Sequence, residues 1–157
     1  MKSYIYQITK KDTVRPLEAS AISGILSPFG GNFADLIDID ANEREELITH
    51  LVNEILPKGM FSRCDADTIR YEGGIEQWAK DAMATVKERA GELDDFFSNN
   101  ELCGAIDNPL RSPHLFFLDA DGKEGMAYSS FVLMHNINLL EPGAILHIGG
   151  IVEFHIL

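Results

Sequence analysis

The apolar and polar positions divide the chain into segments of different period. Ser3–Thr9 ("SYIYQIT") is dense in β-branched and aromatic residues and predicts a first strand. In "RPLEASAISGIL", Pro16 suits a first helical position and Leu17, Ala21 and Ile25 fall on one side, which predicts a short helix. "SPFGGN" (Ser27–Asn32) reads as a loop, because Pro and paired Gly interrupt regular structure. The clearest helical signal is "DANEREELITHLVNEILPKG". Asp40 can cap it, with Glu43 three residues on in a capping-box arrangement. Leu47, Ile48, Leu51, Val52, Ile55 and Leu56 form its apolar stripe, and Pro57 and Gly59 end it.

Met60–Arg63 and Thr68–Glu72 read as two short strands around the polar turn "CDAD". A second long helix is expected from Ile75. Trp78, Ala79, Ala82, Met83, Val86, Ala90, Leu93 and Phe97 keep its period, and Gly91 is a point where it can bend or break. Ser98–Pro113 is a connection. "HLFFLDADGKEGMAYSSF" predicts a hairpin, since Asp121–Gly122 lies between apolar runs. "VLMHNINLL" fits either a strand or a helix, and Glu141–Ala144 is a turn.

The terminal run "AILHIGGIVEFHIL" (Ala144–Leu157) is the least obvious segment. Folded as a hairpin about Gly149–Gly150, it would place polar residues on both faces. As one continuous strand it leaves Ala144, Leu146, Ile148, Gly150, Val152, Phe154 and Ile156 together on a wholly apolar face. The expectation is therefore one long strand that bends at the paired glycines without losing register.

The order of elements predicts a single domain over residues 1–157. Its class is α+β: a mainly antiparallel sheet, built from the N-terminal strand and a strand-rich C-terminal third, with two long amphipathic helices packed on one face. At 157 residues such a chain buries roughly 68–70% of its unfolded surface without staples.

Charge changes the picture most. There are 13 basic and 25 acidic residues, a net of −12. Residues 1–30 hold four basic and two acidic side chains, net +2, so the other 127 residues carry −14. Such a surface repels phosphate backbones and argues against direct nucleic-acid binding, while suiting a basic protein partner. No apolar run approaches a membrane span of about 20 residues. The N-terminal "MKSYIYQITKKDTVRP" lacks the features of a signal peptide. These readings predict a cytoplasmic protein with no membrane association. Cys64 and Cys103 lie far apart with no CxxC spacing, against both a disulfide framework and a zinc knuckle.

Motifs for chemistry mostly fail on spacing. Read as a calcium loop from Asp119, "DADGKE" puts Lys123 at a ligand position and Gly two places early. "DIDANE" starts well with Asp38, Asp40 and Asn42 but has Glu43 where Gly is required. "SPFGGN" lacks the Lys-Ser/Thr of a phosphate-cradling loop. Neither cysteine has the surroundings of a nucleophile: Cys64 precedes Asp65 and Asp67, and Cys103 has no His in its segment. No G-x-S-x-G or H-E-x-x-H occurs. The balance is against an enzyme, and no cofactor or metal is expected.

Of five histidines, His50 lies at the edge of the first long helix, and His114, His135, His147 and His155 lie in the last third. Glu153, His155 and His114 are the one acid–base or metal-binding lead. On a continuous strand Glu153 and His155 stand about 7 Å apart, and a neighbouring strand carrying His114 would have to complete the group. The leading expectation is a small acidic protein-binding module of inhibitor, immunity or nucleic-acid-mimic type that engages a basic partner. Its acidic candidates are Glu43, Glu45 and Glu46 at the first helix start and Asp94 and Asp95 near the end of the second. Their plainer role is to complement helix dipoles and solvate a face. The alternatives are a metal-dependent or acid–base enzyme built on the C-terminal histidines with Glu153, and a homo-oligomeric accessory protein that pairs through a strand edge.

Overall fold

The computed structural model describes residues 2–22, 33–93, 108–122 and 126–156. In chain order these form β1 (Ser3–Thr9), α1 (Ala19–Ile22), β2 (Phe33–Asp38), α2 (Ala41–His50) running into a π turn (Leu51–Ile55), β3 (Phe61–Arg63), β4 (Thr68–Tyr71), α3 (Ile75–Gly91), β5 (Leu115–Phe117), β6 (Ala127–Tyr128), α4 (Ser130–Ile137) and β7 (Ile145–Ile156). The fold is α+β with one mixed seven-stranded sheet, in the order β3-β4-β7-β1-β5-β6, with β2 also on β7. Its pairings are antiparallel except β1 with β5, which run parallel.

The terminal run is one strand and the hub of the sheet. One edge of β7 pairs with β1 along most of its length. The other edge is shared, β4 taking Ile145–His147 and β2 taking Val152–Ile156. The expected bend in register does not occur. Tyr6 pairs with Ile151 and Ile8 with Ile148, so Gly149 and Gly150 together face Gln7 in a β-bulge. The extra residue reverses the phase of the strand. Leu146, Ile148 and Ile151 lie in the larger core, while Val152 and Phe154 lie in the smaller one on the opposite face. The single apolar face expected from strict alternation is thus divided between two cores.

The bulge exists because something crosses it. A Cβ on Gly150 would lie 2.0 Å from Leu17 O and 2.6 Å from Leu17 N, and one on Gly149 would lie 2.0 Å from Gln7 Oε1. No side chain fits at either position. Gln7, fully buried, binds the crossing segment to the sheet. Its Oε1 accepts from Leu17 N–H and Gly150 N–H, both at 2.7 Å. Its Nε2 donates to Arg15 O at 3.0 Å and Asp119 O at 2.8 Å. One side-chain amide therefore satisfies two backbone donors and two backbone acceptors.

The crossing also delays the short helix. Leu17 N–H is taken by Gln7, and α1 starts at Ala19, whose N–H donates to Asp38 Oδ1 of β2 at 2.7 Å. Leu17 and Ile22 then pack on Ile5, Leu115, Val152 and Phe154. Both faces of the sheet are accordingly covered. The larger core lies on the other face, where Leu47, Ile48, Leu51 and Val52 meet Leu133, Met134 and Ile137 of α4.

The expected pair of long helices on one face is not what is found. The α-helical run after Asp40 ends at His50, and a π turn follows in which Leu56 N–H reaches Leu51 O at 2.9 Å. That wider turn keeps Leu51, Val52 and Leu56 buried as the chain leaves the helix. α3 stops at Gly91, the glycine at which a bend or break was expected, and buries only Ile75, with Met83 exposed. Its small apolar residues offer the sheet little surface. The ambiguous "VLMHNINLL" lies largely in α4, whose buried Leu133, Met134 and Ile137 have helical spacing.

Candidate functional site

The N-terminal end of α2 gathers most of the ionisable groups that the sequence singles out. Asp40 caps the helix, accepting from Glu43 N–H at 2.8 Å. The Glu43 carboxylate instead reaches across to β1, where Tyr4 Oη donates to it at 3.2 Å and Lys2 Nζ lies at 3.8 Å. Lys2 also pairs with Glu153 at 3.0 Å, beside Tyr4 on the facing strand. That hydrogen bond with Glu153 is the main cause raising the Lys2 pKa. Burial, then the Glu43 contact, raises the Tyr4 phenol. Glu43 and Glu153 thus share Lys2, and Glu43 also accepts from the Tyr4 hydroxyl.

Two arginines hold the β3–β4 turn against α2. Arg63 grips Glu45 with both Nη atoms, at 2.9 and 2.8 Å, and donates to Asp65 O and Ala66 O, each at 3.1 Å. Arg44 donates from Nη2 to Asp67 Oδ1 at 2.9 Å and Ile148 O at 2.8 Å, and from Nη1 to Gly149 O. Those two carbonyls lie on the edge of β7 between the ends of β4 and β2. The guanidinium therefore closes a gap in the sheet and at the same time anchors the turn. Hydrogen bonds from Asp67 N–H and Thr68 hold the Asp65 carboxyl below its ordinary range. The result is an edge on which Asp40, Glu45, Glu46, Asp65 and Asp67 are all exposed.

The proposed acid–base group is drawn apart. His155 Nδ1 lies 3.1 Å from Asp35 Oδ2, on the exposed side of β2. Asp35 reaches it from a bulge in β2, with φ of 52°. Glu153 is engaged with Lys2, as above. His114 is buried, and its Nδ1 accepts from Tyr4 N–H at 3.1 Å, which places any ring proton on Nε2. Burial is the larger cause, and the nearby His50 the smaller, of a His114 pKa lowered to about 4. Among the described residues, no three His, Cys, Asp or Glu side chains stand close enough to hold a metal ion. The imidazoles that do approach each other are His50 and His114, with ring centres 6.4 Å apart. The tyrosine rings of Tyr4 and Tyr6 are each 5.7 Å from that of His114.

Of the five acidic candidates, Glu43 and Glu45 are held by partners within the chain and Glu46 is exposed. Asp94 and Asp95 lie outside the described residues, as do Cys103 and the "SPFGGN" loop. Cys64 is an exposed thiol. Sequence reasoning missed Lys2, Tyr4, Arg44 and Arg63, whose roles depend on partners far along the chain. Among the described residues no helix is long and apolar enough to cross a membrane. No family model matches this chain, and no curated protein or solved structure is significantly similar to it.

Proposed function

We propose that this protein is an acidic binding module whose α2 edge engages a basic partner protein. One observation supports the reading above the rest: Arg44 and Arg63 fix the β3–β4 turn onto α2, so Asp40, Glu45, Glu46, Asp65 and Asp67 keep a set arrangement. Preset charges lose less freedom on binding than mobile ones. Their excess over basic groups favours fast, salt-sensitive association with a cationic surface.

The test is affinity capture from the native host at low salt, with Glu45→Lys/Glu46→Lys alongside the unaltered chain. The expected result is a stoichiometric basic partner that dissociates as salt rises and is lost from the charge-reversed variant. Recovery of no such partner, or equal capture by both proteins, overturns the reading. Acid–base chemistry is the second reading, and the Glu43–Tyr4–Lys2–Glu153 group is the arrangement in its favour.

A further inference from the structure

At the opposite end of the sheet from Lys2, past the end of β1, a cleft of about 480 Å³ opens between β1, the segment after β5, and α4. Small-molecule pockets span roughly 300–1,000 Å³. Its floor is the edge of the larger core: Ile8, Leu133, Ile137 and Leu146 are nearly inaccessible yet line it. Leu118 and Leu140, half-buried, form its walls. The cleft lies where β1 and β5 end, at Thr9 and Phe117, with Asn136 and Ile137 of α4 and Leu140 in its lining. An apolar guest seated on these side chains would remove further apolar surface from water.

The mouth is charged against the trend of the chain. Lys10 and Lys11 line it, both exposed, and neither has an ion-pair partner among the described residues. Asp119 is the single acid in the lining, and its Oδ1 accepts from Asp121 N–H at 2.8 Å. Asn136 and Tyr128 add polar groups to the wall. On a protein of net −12, two cations without an ion-pair partner among the described residues, set over an apolar floor, select for one chemistry. A purely apolar guest would leave the lysines unused, and a cation would be repelled.

We propose that this cleft binds a small aliphatic carboxylate, its tail on Ile8, Leu133, Ile137 and Leu146 and its head group at Lys10 and Lys11. The site lies apart from the acidic edge of α2, so the two proposals stand or fall separately. Octanoate, octanol and octylamine share a tail and differ in head-group charge, and each is titrated while backbone amide resonances are followed by NMR. Octanoate is expected to shift the amides of Lys10, Lys11 and Asn136, octanol to do so more weakly, and octylamine not at all. In Lys10→Ala/Lys11→Ala, a surface change, octanoate affinity is expected to fall roughly three- to tenfold with octanol unmoved. Leu140→Trp, which narrows the cleft from a half-buried position, is expected to abolish both. No shifts with any probe at millimolar concentration overturn the proposal. So do equal affinities for octanoate and octylamine, or an octanoate affinity indifferent to the lysines.

Discussion

Gln7 Oε1 accepts from Gly150 N–H at 2.7 Å, across the one place where β1 and β7 lose their one-to-one pairing. The same oxygen holds Leu17 N–H, so the amide joins the sheet to the strap that crosses it. Replacing Gln7 with Leu strands two donors and two acceptors in a buried setting. A loss of about 3 kcal/mol or more is expected, read from the urea midpoint of unfolding. Gly150→Ala meets Leu17 backbone at 2.0 Å and is expected to destabilise at least as much. A near-neutral result for either would show that the strap does not lie on the bulge.

Arg44 contributes through two backbone carbonyls of β7 as well as through Asp67. Arg44→Met keeps the aliphatic stem but leaves Ile148 O and Gly149 O unpaired at the β4–β2 gap. The expected cost is about 2 kcal/mol, and Asp67→Asn, which removes only an exposed ion pair, should cost less than about 1 kcal/mol. Equal losses in the two variants would contradict the placement of the guanidinium.

His114 ties stability to pH. Its pKa is about 4 in the folded chain against 6.5 for the ordinary imidazole, so the unfolded chain binds more protons between those values. Stability from neutral His114 is complete above pH 6.5 and is lost as pH falls towards 4, by about 3 kcal/mol in all. Protonation also removes the acceptor for Tyr4 N–H. Carboxylates titrate in the same range, so the informative quantity is the difference between wild type and His114→Phe across pH. That difference should shrink on acidification, and a constant difference would refute the assignment.

Tyr6 places a hydroxyl in the larger core with no hydrogen-bond partner among the described residues. Burial pushes its pKa upward. Tyr6→Phe removes the unpaired oxygen and keeps the ring contacts with His114 and Phe116. The melting temperature should stay level or rise, by up to about 1 kcal/mol in stability. A clear drop would mean that the hydroxyl is bonded.

Local signals were readable where their causes are local. β1 spans the residues expected from its β-branched and aromatic content, and Asp40 caps α2 as its position predicts. Paired glycines marked Gly149–Gly150 as unusual, and a single strand was the right outcome there. The phase was wrong because alternation assumes one residue against one, and the bulge breaks that rule on account of Leu17, over 130 positions earlier. Gln7 was illegible for the same reason: its partners lie from 8 to 143 residues away. β2 ("FADLID") was not anticipated because two acids interrupt its apolar residues; the β7 backbone holds it, with Phe33 and Leu36 packed on the smaller core. Glu43 looked like half of a capping box, but its carboxylate serves Tyr4 and Lys2, which no spacing within the helix discloses.

The position of β7 in the chain has a consequence for how the protein comes to be. β1, β2 and β4 all pair with it, yet it follows each of them in order of synthesis. Until β7 is made, each of these three strands has the edge that meets it unpaired. Closing the sheet joins residues as far apart as Ser3 and Phe154, an ordering step whose entropy is met before its contacts form. Closure of the sheet is thus deferred until β7 has been made, and the unpaired strands are the stage at which a chaperone has most to protect.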